Sequence, residues 1–223
     1  MEDNKVVLLD WWASPFSMRV KVALAEKGIK YESKEQNLFN KSQELLEANP
    51  VHKKIPVLIH DGKSICESLV ILQYIDEVWH DKSPLLPSDP YQRSQARFWA
   101  DYVEKKLYIT GWRVWTGKGE DQEVAKKELI ELLKTMEGEL GDKHFFGGDT
   151  IGFLDVVLVP FTNLGGDAAD VEARAAKGTA LLDTRGLEAE LGGFDGGDIA
   201  SESTSVDDDG KRERDPAFLI GGF

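Results

Sequence analysis

Two hydroxyl-bearing residues three apart, Ser14 and Ser17, lie in the segment Trp11-Trp12-Ala13-Ser14-Pro15-Phe16-Ser17-Met18-Arg19-Val20. The apolar run Val6-Val7-Leu8-Leu9 before them reads as a buried strand. Pro15 to Gly28 after them reads as a helix, with Val20, Ala23, Leu24 and Ala25 on its apolar side. Ser14 suits the N-cap, Pro15 the first helical position and Gly28 the residue that ends the helix. A helix N-terminus carries unpaired N–H groups and partial positive charge, which favour a nearby anion by about 0.3–1 kcal/mol. A serine hydroxyl there is placed to donate a hydrogen bond to a thiolate brought by a ligand. On the local sequence alone, plain capping is the reading that Ser14 favours.

The surrounding elements must hold that junction. Tyr31 to Gln36 alternates like a second strand, so the opening is a β-α-β unit with a right-handed crossover to a parallel neighbour. Leu38 to Asn49 is polar and partly helical. Pro56-Val57-Leu58-Ile59-His60, Asp61-Gly62 and Lys63-Ser64-Ile65-Cys66 read as a hairpin. Glu67 to Trp79 follows as a helix, with Leu69, Leu72, Ile75 and Trp79 near one face. Three prolines between Ser83 and Pro90 mark a short stiff linker. Beyond it, Tyr91 to Thr116 and Glu120 to Leu140 read as two long antiparallel helices, separated at Gly117 and Gly119 and closed at Gly141. A third, apolar helix starts after Ile151, with Gly152 as N-cap and Asp155 bonding back from the third helical position, and is expected to be buried.

After about Asn163 the composition changes. The last 60 residues hold 11 of the 21 glycines, 14 acids against 6 bases, and no Trp or Tyr. Such a stretch buries little apolar surface, and disorder is expected from roughly residue 195 onward. Loss of packing partners would then leave the third helix with an exposed apolar face.

Whole-chain properties narrow the function. With 223 residues there is room for one large or two small domains. Forty acids against 27 bases give a formal charge of −13, which repels phosphate backbones and anionic membranes, so neither nucleic acid nor a membrane is an expected partner. A single cysteine excludes an intrachain disulfide, and Met1 to Lys5 has neither the basic start nor the apolar run of a signal peptide; the expected location is the cytoplasm. Cys66 reads as an inert thiol. His52, His60, His80 and His144 have no metal-ligand spacing, so no metal is expected.

Ser14-Pro15-Phe16-Ser17 stands where thioredoxin-like redox proteins place Cys-x-x-Cys, and serine at both positions excludes dithiol chemistry there. The strand opened by Pro56 opposite it is expected to begin with a cis Ile55-Pro56 bond, presenting the preceding backbone for ligand pairing. From here the sequence resembles the glutathione transferases, specifically the plant tau class. The resemblance rests on Ser14 to Val20, Asn49 to Leu58, Cys66-Glu67-Ser68, Leu85-Leu86-Pro87, Arg97 to Tyr102 and Gly152 to Asp155, and runs from residue 1 to about 163. It implies an α+β thioredoxin-like N-terminal domain, an all-α helical domain, a glutathione site on the first and an electrophile pocket between the two. The boundaries expected are 1–81 for the glutathione-binding domain, 82–90 for the linker, 91–163 for an incomplete all-α domain and 164–223 for an atypical, partly disordered tail.

Carried over by residue, the resemblance gives Ser14 the catalytic role of holding the glutathione thiolate. Lys41 and Lys54 would take the glycyl carboxylate, the Ile55 backbone the cysteinyl unit, and Glu67 and Ser68 the γ-glutamyl end. Trp12, Phe16, Tyr108, Trp112 and Trp115 match or adjoin acceptor-lining positions, and their flat faces suit aromatic electrophiles. Glutathione is then a co-substrate with no prosthetic group, and small hydrophobic electrophiles are the second substrate. The family further implies detoxification and stress response, and a homodimer with Glu77, Arg93 and Arg97 as interface charges. Reduction of organic hydroperoxides is a second use of the same thiolate. An alternative is a non-catalytic glutathione or small-molecule binder, or a defective variant with an incomplete acceptor pocket.

Overall fold

The computed structural model describes residues 5–158. They fall into two compact units, one of residues 5–100 with 142–158 and one of residues 101–141.

The first unit is built on a four-stranded sheet of β1 (Val6–Asp10), β2 (Glu32–Glu35), β3 (Val57–His60) and β4 (Lys63–Cys66), in the order β2-β1-β3-β4. β2 runs parallel to β1, whereas β3 is antiparallel to β1 and β4 antiparallel to β3. The parallel pair follows from the crossover helix α1 (Pro15–Glu26), and the antiparallel pair from the Asp61-Gly62 turn. Both turn residues have positive φ, 48° and 75°, as a two-residue hairpin of this hand requires. Alternation along β1 and β3 sends Val7, Leu9, Val57 and Ile59 to one face. There they meet Leu45 of α2 (Gln43–Ala48), with Ile55, Trp11, Leu38 and Cys66 completing the cluster. Leu8, Asp10 and Leu58 lie on the opposite face. Helices α1 and α3 (Ser68–Val78) pack together, burying Val20, Ala23, Leu24, Ile71, Leu72 and Ile75.

Ala25, expected on the apolar side of α1, is exposed, and Val22 is buried instead. The helix is covered over a wider arc than its apolar pattern suggests: Ser17, Arg19 and Lys27 are buried too. Gly28 adopts φ +60° just past the helix, and the Ile55-Pro56 bond is cis, both as expected.

The proline-rich linker is packed down: Leu85 and Leu86 are buried and both donate backbone N–H groups to the Asp76 carboxylate, at 2.8 and 3.0 Å. Lys27 Nζ lies 2.8 Å from the same carboxylate and donates to the carbonyls of Trp79, Lys82 and Ser83. Helix α4 (Pro90–Tyr102) follows the linker.

Helix α7 (Phe153–Leu158) has the expected cap: Asp155 accepts from the N–H of Gly152 at 2.8 Å, and also from Phe146 and Gly147. Burial pushes the Asp155 carboxyl upward, partly offset by these N–H groups. All six residues of α7 are buried, so the exposed apolar face expected for it is absent. The helix packs against α1, Phe153 N–H donates to Leu85 O at 2.8 Å, and Arg19 Nε donates to Val157 O at 3.0 Å.

In the second unit a π-helical segment, Val103–Tyr108, runs directly into α5 (Ile109–Thr116), and α6 (Glu120–Leu140) returns alongside. The expected glycine break is seen at Gly117 to Gly119, and the ladder of contacts is antiparallel: Gln122 to Val114 O, Arg113 and Thr110 to Glu128. The π-helical segment is not visible in the hydrophobic pattern. Among the described residues no helix is long and apolar enough to cross a membrane. The expectations for the tail beyond 158 lie outside the described residues.

Candidate functional site

The register of the sheet determines where the candidate residues go. Leu9 pairs with Val57 and Val57 with Cys66, while Asp10 pairs with Glu35 of β2. The C-terminal ends of β1, β2 and β4 and the N-terminal end of β3 therefore share one end of the sheet. From that end extend the loop to Ser14, the loop carrying Lys41, the cis peptide at Ile55 and the turn into Glu67 and Ser68. Convergence of these segments is a property of topology, which is why residues distant in sequence arrive at one place.

Ser14 is buried at the N-cap of α1, where its Oγ accepts the N–H of Ser17 at 3.2 Å. Accepting through a lone pair leaves the hydroxyl hydrogen for an acceptor supplied by a ligand, so capping and ligand binding use different parts of one group. Ser68 is buried at the first position of α3, and its Oγ accepts from Arg19 Nη1 at 3.2 Å, tying the two helix starts together. Glu67 precedes it with φ +70° and makes no side-chain cap bond. A non-glycine residue held at positive φ carries about 1–3 kcal/mol of local strain, and its carboxylate is left pointing outward, exposed.

Ile55 is buried, Lys54 is half-buried and Lys41 is exposed. The loop before Ile55 is shaped by buried Asn49, whose amide donates to Lys54 O at 2.9 Å and accepts from His52 N–H at 3.1 Å. His52 in turn lies 3.8 Å from Glu67 Oε1, so this loop and the start of α3 adjoin. No contact of Lys41 with the other candidates is found.

Among the aromatic candidates, Trp12 is 66% exposed beside Trp11, whereas Phe16 is buried with the Arg19 guanidinium 5.1 Å from its ring centre. In the second unit Tyr108 closes the π-helical segment, and Trp112 and Trp115 follow four and seven residues later, on the same helix face, all half-buried. Cys66 adjoins the site, but burial, and then the Glu67 carboxylate, push its thiol pKa up. It is held as a neutral thiol near neutral pH. Among the described residues no group of three His, Cys, Asp or Glu side chains could hold a metal ion.

Sequence reasoning missed the buried charges behind the site. Arg19 is fully buried, and Asp10 is 1% exposed, with Lys21 Nζ at 2.6 Å and Ser33 Oγ donating to both its oxygens at 3.1 Å. The available signal was a charged residue on an otherwise apolar strand or helix face, which does not say what pairs with it.

Taken together, a thioredoxin-like sheet with a serine hydroxyl at the first helix start, a cis-proline strand opposite and a helical second unit defines the architecture of a glutathione-dependent transferase. Residues 4–77 match the glutathione S-transferase N-terminal domain and residues 94–171 the C-terminal domain. The chain is 74% identical over 163 residues, 73% of its own length and 74% of the relative's, to a probable glutathione S-transferase, parA, of Nicotiana tabacum. Among solved structures it is similar to rice GST1 (OsGSTU1) in complex with glutathione, with a TM-score of 0.71 at 43% identity, covering 86% of this chain and 96% of that one. It is also similar to the tau class glutathione S-transferase MiGSTU from mango, Mangifera indica, with a TM-score of 0.70 at 39% identity, covering 86% and 90%. The chain belongs to the glutathione S-transferase family, and its likeness is to the tau class.

Proposed function

We propose that this glutathione transferase holds the thiol of glutathione as thiolate through Ser14 Oγ and adds it to small hydrophobic electrophiles. The observation that carries the reading is the Ser14 hydroxyl, buried at the α1 N-terminus with its lone pair on Ser17 N–H and its hydrogen available. A free thiol of pKa about 8.5 is only a few per cent ionised at pH 7, and each unit of depression is worth about 1.4 kcal/mol. Hydrogen bonding to the charged form and the positive helix end both act in that direction.

In substitution the thiolate sulfur forms the S–C bond while the leaving group departs with its electron pair; in addition, solvent returns a proton to the adjacent carbon. Lys41 and Lys54 attract the glycyl carboxylate, the Ile55 backbone pairs with the cysteinyl unit, and Glu67 and Ser68 hold the γ-glutamyl ammonium and carboxylate. The flat faces of Trp12, Phe16, Tyr108, Trp112 and Trp115 are assigned to the acceptor. The same thiolate attacking the terminal oxygen of a hydroperoxide forms an S–O bond as the O–O bond breaks, leaving glutathione sulfenic acid and, with a proton from solvent, the alcohol. A second glutathione then displaces water from that sulfur to give the disulfide. Stress-linked detoxification in the cytoplasm, and a homodimeric state, complete the reading.

The second reading, glutathione binding without turnover, draws on one fact: the match to the tobacco relative covers 74% of that protein's length. Conjugation of glutathione to a chlorinated nitroaromatic by the full chain separates the two. Turnover that falls by about a hundredfold or more in Ser14→Ala, with glutathione still bound, supports the enzyme reading. Absence of turnover from folded protein that binds glutathione supports the other, and unchanged turnover in Ser14→Ala removes Ser14 from its role.

A further inference from the structure

Behind the candidate site lies a polar network that no substrate contact explains. Asp10 ends β1, four residues before Ser14, and its carboxylate is 1% exposed on the sheet face opposite the Val7 and Leu9 cluster. Lys21 Nζ approaches one oxygen at 2.6 Å, and Ser33 Oγ on β2 reaches both at 3.1 Å. The Asp10 backbone is fixed as well, since its carbonyl accepts from Gln36 N–H at 2.8 Å. Lys21 is seven residues beyond Ser14. Seven residues are close to two helical turns, so both lie on the same face of α1, about 10 Å apart along its axis.

We propose that Asp10 is a positioning residue for Ser14, locking the Ser14-bearing face of α1 to the end of β1 through Lys21 so that the hydroxyl is held at hydrogen-bonding distance from the bound thiolate. The inference rests on the role given to Ser14 above. The short connection Trp11 to Ala13 carries one backbone bond, from Ser14 N–H to Trp11 O at 3.0 Å. That turn ties the start of α1 to the end of β1, Arg19 ties the helix to Ser68 and Val157 on its neighbours, and the Lys21–Asp10 pair adds a tie to β1 two turns further on. The pair fixes the angle at which the Ser14 end of the helix meets the strand. A donor displaced by a few tenths of an ångström loses much of its preference for the charged form of its acceptor, so loosening the lock raises the thiol pKa of bound glutathione. The groups assigned to the rest of glutathione, Lys41, Lys54, Ile55, Glu67 and Ser68, are on other elements, and Ser68 alone among them is bonded to α1, through Arg19.

The test is a pH titration of the thiolate absorbance of enzyme-bound glutathione, with steady-state conjugation kinetics, on the full chain. Asp10→Asn/Lys21→Met removes the lock without leaving a buried charge unpaired, and Lys21→Arg retains it. In the double variant the bound-thiol pKa is expected to rise by about one unit and kcat, measured at a pH below both thiol pKa values, to fall about tenfold, while KM for glutathione stays within about twofold. Lys21→Arg restores the parent titration. Asp10→Asn alone, which keeps acceptors for Ser33 and Lys21, gives an intermediate curve. A double variant that is folded, by its far-ultraviolet circular dichroism, and titrates like the parent overturns the inference. If the double variant does not fold, Lys21→Met alone answers, its side chain being partly exposed: an unshifted titration there overturns the inference equally. Ser14→Ala tells the two failures apart. A parent-like titration in Ser14→Ala sinks the role of Ser14 and this inference with it, whereas a raised pKa there beside an unshifted double variant sinks this inference alone.

Discussion

At Ser14 the Oγ lone pair completes the helix by accepting Ser17 N–H, and the proposed thiolate contact calls on the other part of the group, its hydrogen. Glu67 makes the complementary point, because its backbone is strained at φ +70° and its side chain does not cap α3. On the proposed function the Glu67 carboxylate goes to the γ-glutamyl end, and the strain and the carboxylate can be tested apart. Glu67→Gly relieves the strain and removes the carboxylate, whereas Glu67→Gln keeps the side-chain volume and the strain. We expect Glu67→Gly to be at least as stable as the parent in denaturant titration, yet both variants to bind glutathione about tenfold or more weakly by calorimetry. An unchanged dissociation constant in Glu67→Gln would withdraw Glu67 from the γ-glutamyl contact. At this scale the sequence was readable wherever the signal is local. Ser14, Pro15 and Gly28 delimit α1 and Asp61-Gly62 turns the hairpin by their own backbone preferences. The pairings of Asp10, Arg19 and Lys27 were not readable, because a buried charge is explained by a partner that only the fold brings near.

At the scale of elements, the linker's prolines announce a stiff segment that is neither helix nor strand, but not what the segment packs against. Prolines exclude helix and strand, but Leu85 and Leu86 are buried, and the decisive partners are Asp76 on α3 and Lys27 at the end of α1. Through those contacts three segments meet on one carboxylate. Breaking a buried pair by removing one partner costs about 3–5 kcal/mol, since the other charge stays behind. Lys27→Met leaves Asp76 with two N–H donors, whereas Asp76→Ala takes the acceptor from both backbone N–H groups and leaves the Lys27 charge to the carbonyls of Trp79, Lys82 and Ser83. Asp76→Ala is therefore expected to lower stability more than Lys27→Met, with both well below the parent in urea midpoint. Equal or negligible losses would mean that the carbonyls of Trp79, Lys82 and Ser83 alone hold Lys27. The π-helical segment escaped sequence reading for a different reason. The i→i+5 pattern over Val103–Tyr108 covers little more than one turn, too short for its own period to be read beside the 3.6-residue patterns that flank it.

For the whole molecule, two divisions of the chain coexist. The family domains match 4–77 and 94–171, leaving the linker between them, whereas the compact units divide after Ala100 and return residues 142–158, with α7, to the first. The reason is visible in α7, whose backbone receives bonds from Arg19 and gives one to Leu85. A helix late in the sequence thus joins the first unit, and the linker separates the two family-domain matches without separating the compact units. That same unit leaves large apolar side chains in water: Val51 is 80% exposed, Tyr91 71% and Phe98 58%. Scattered exposed hydrophobes are ordinary, and these are the side chains that the proposed homodimer is expected to cover. In light scattering after size exclusion, the chain of 24.9 kDa is expected at about 49.8 kDa, twice the chain mass. Val51→Asp and Phe98→Asp are expected to shift the population toward monomer while the far-ultraviolet circular dichroism of the fold is kept, because a buried carboxylate without a partner is costly at an interface and harmless in water. A parent chain that runs as monomer at all concentrations would refute the dimer. A dimer indifferent to both substitutions would move its interface elsewhere on the molecule.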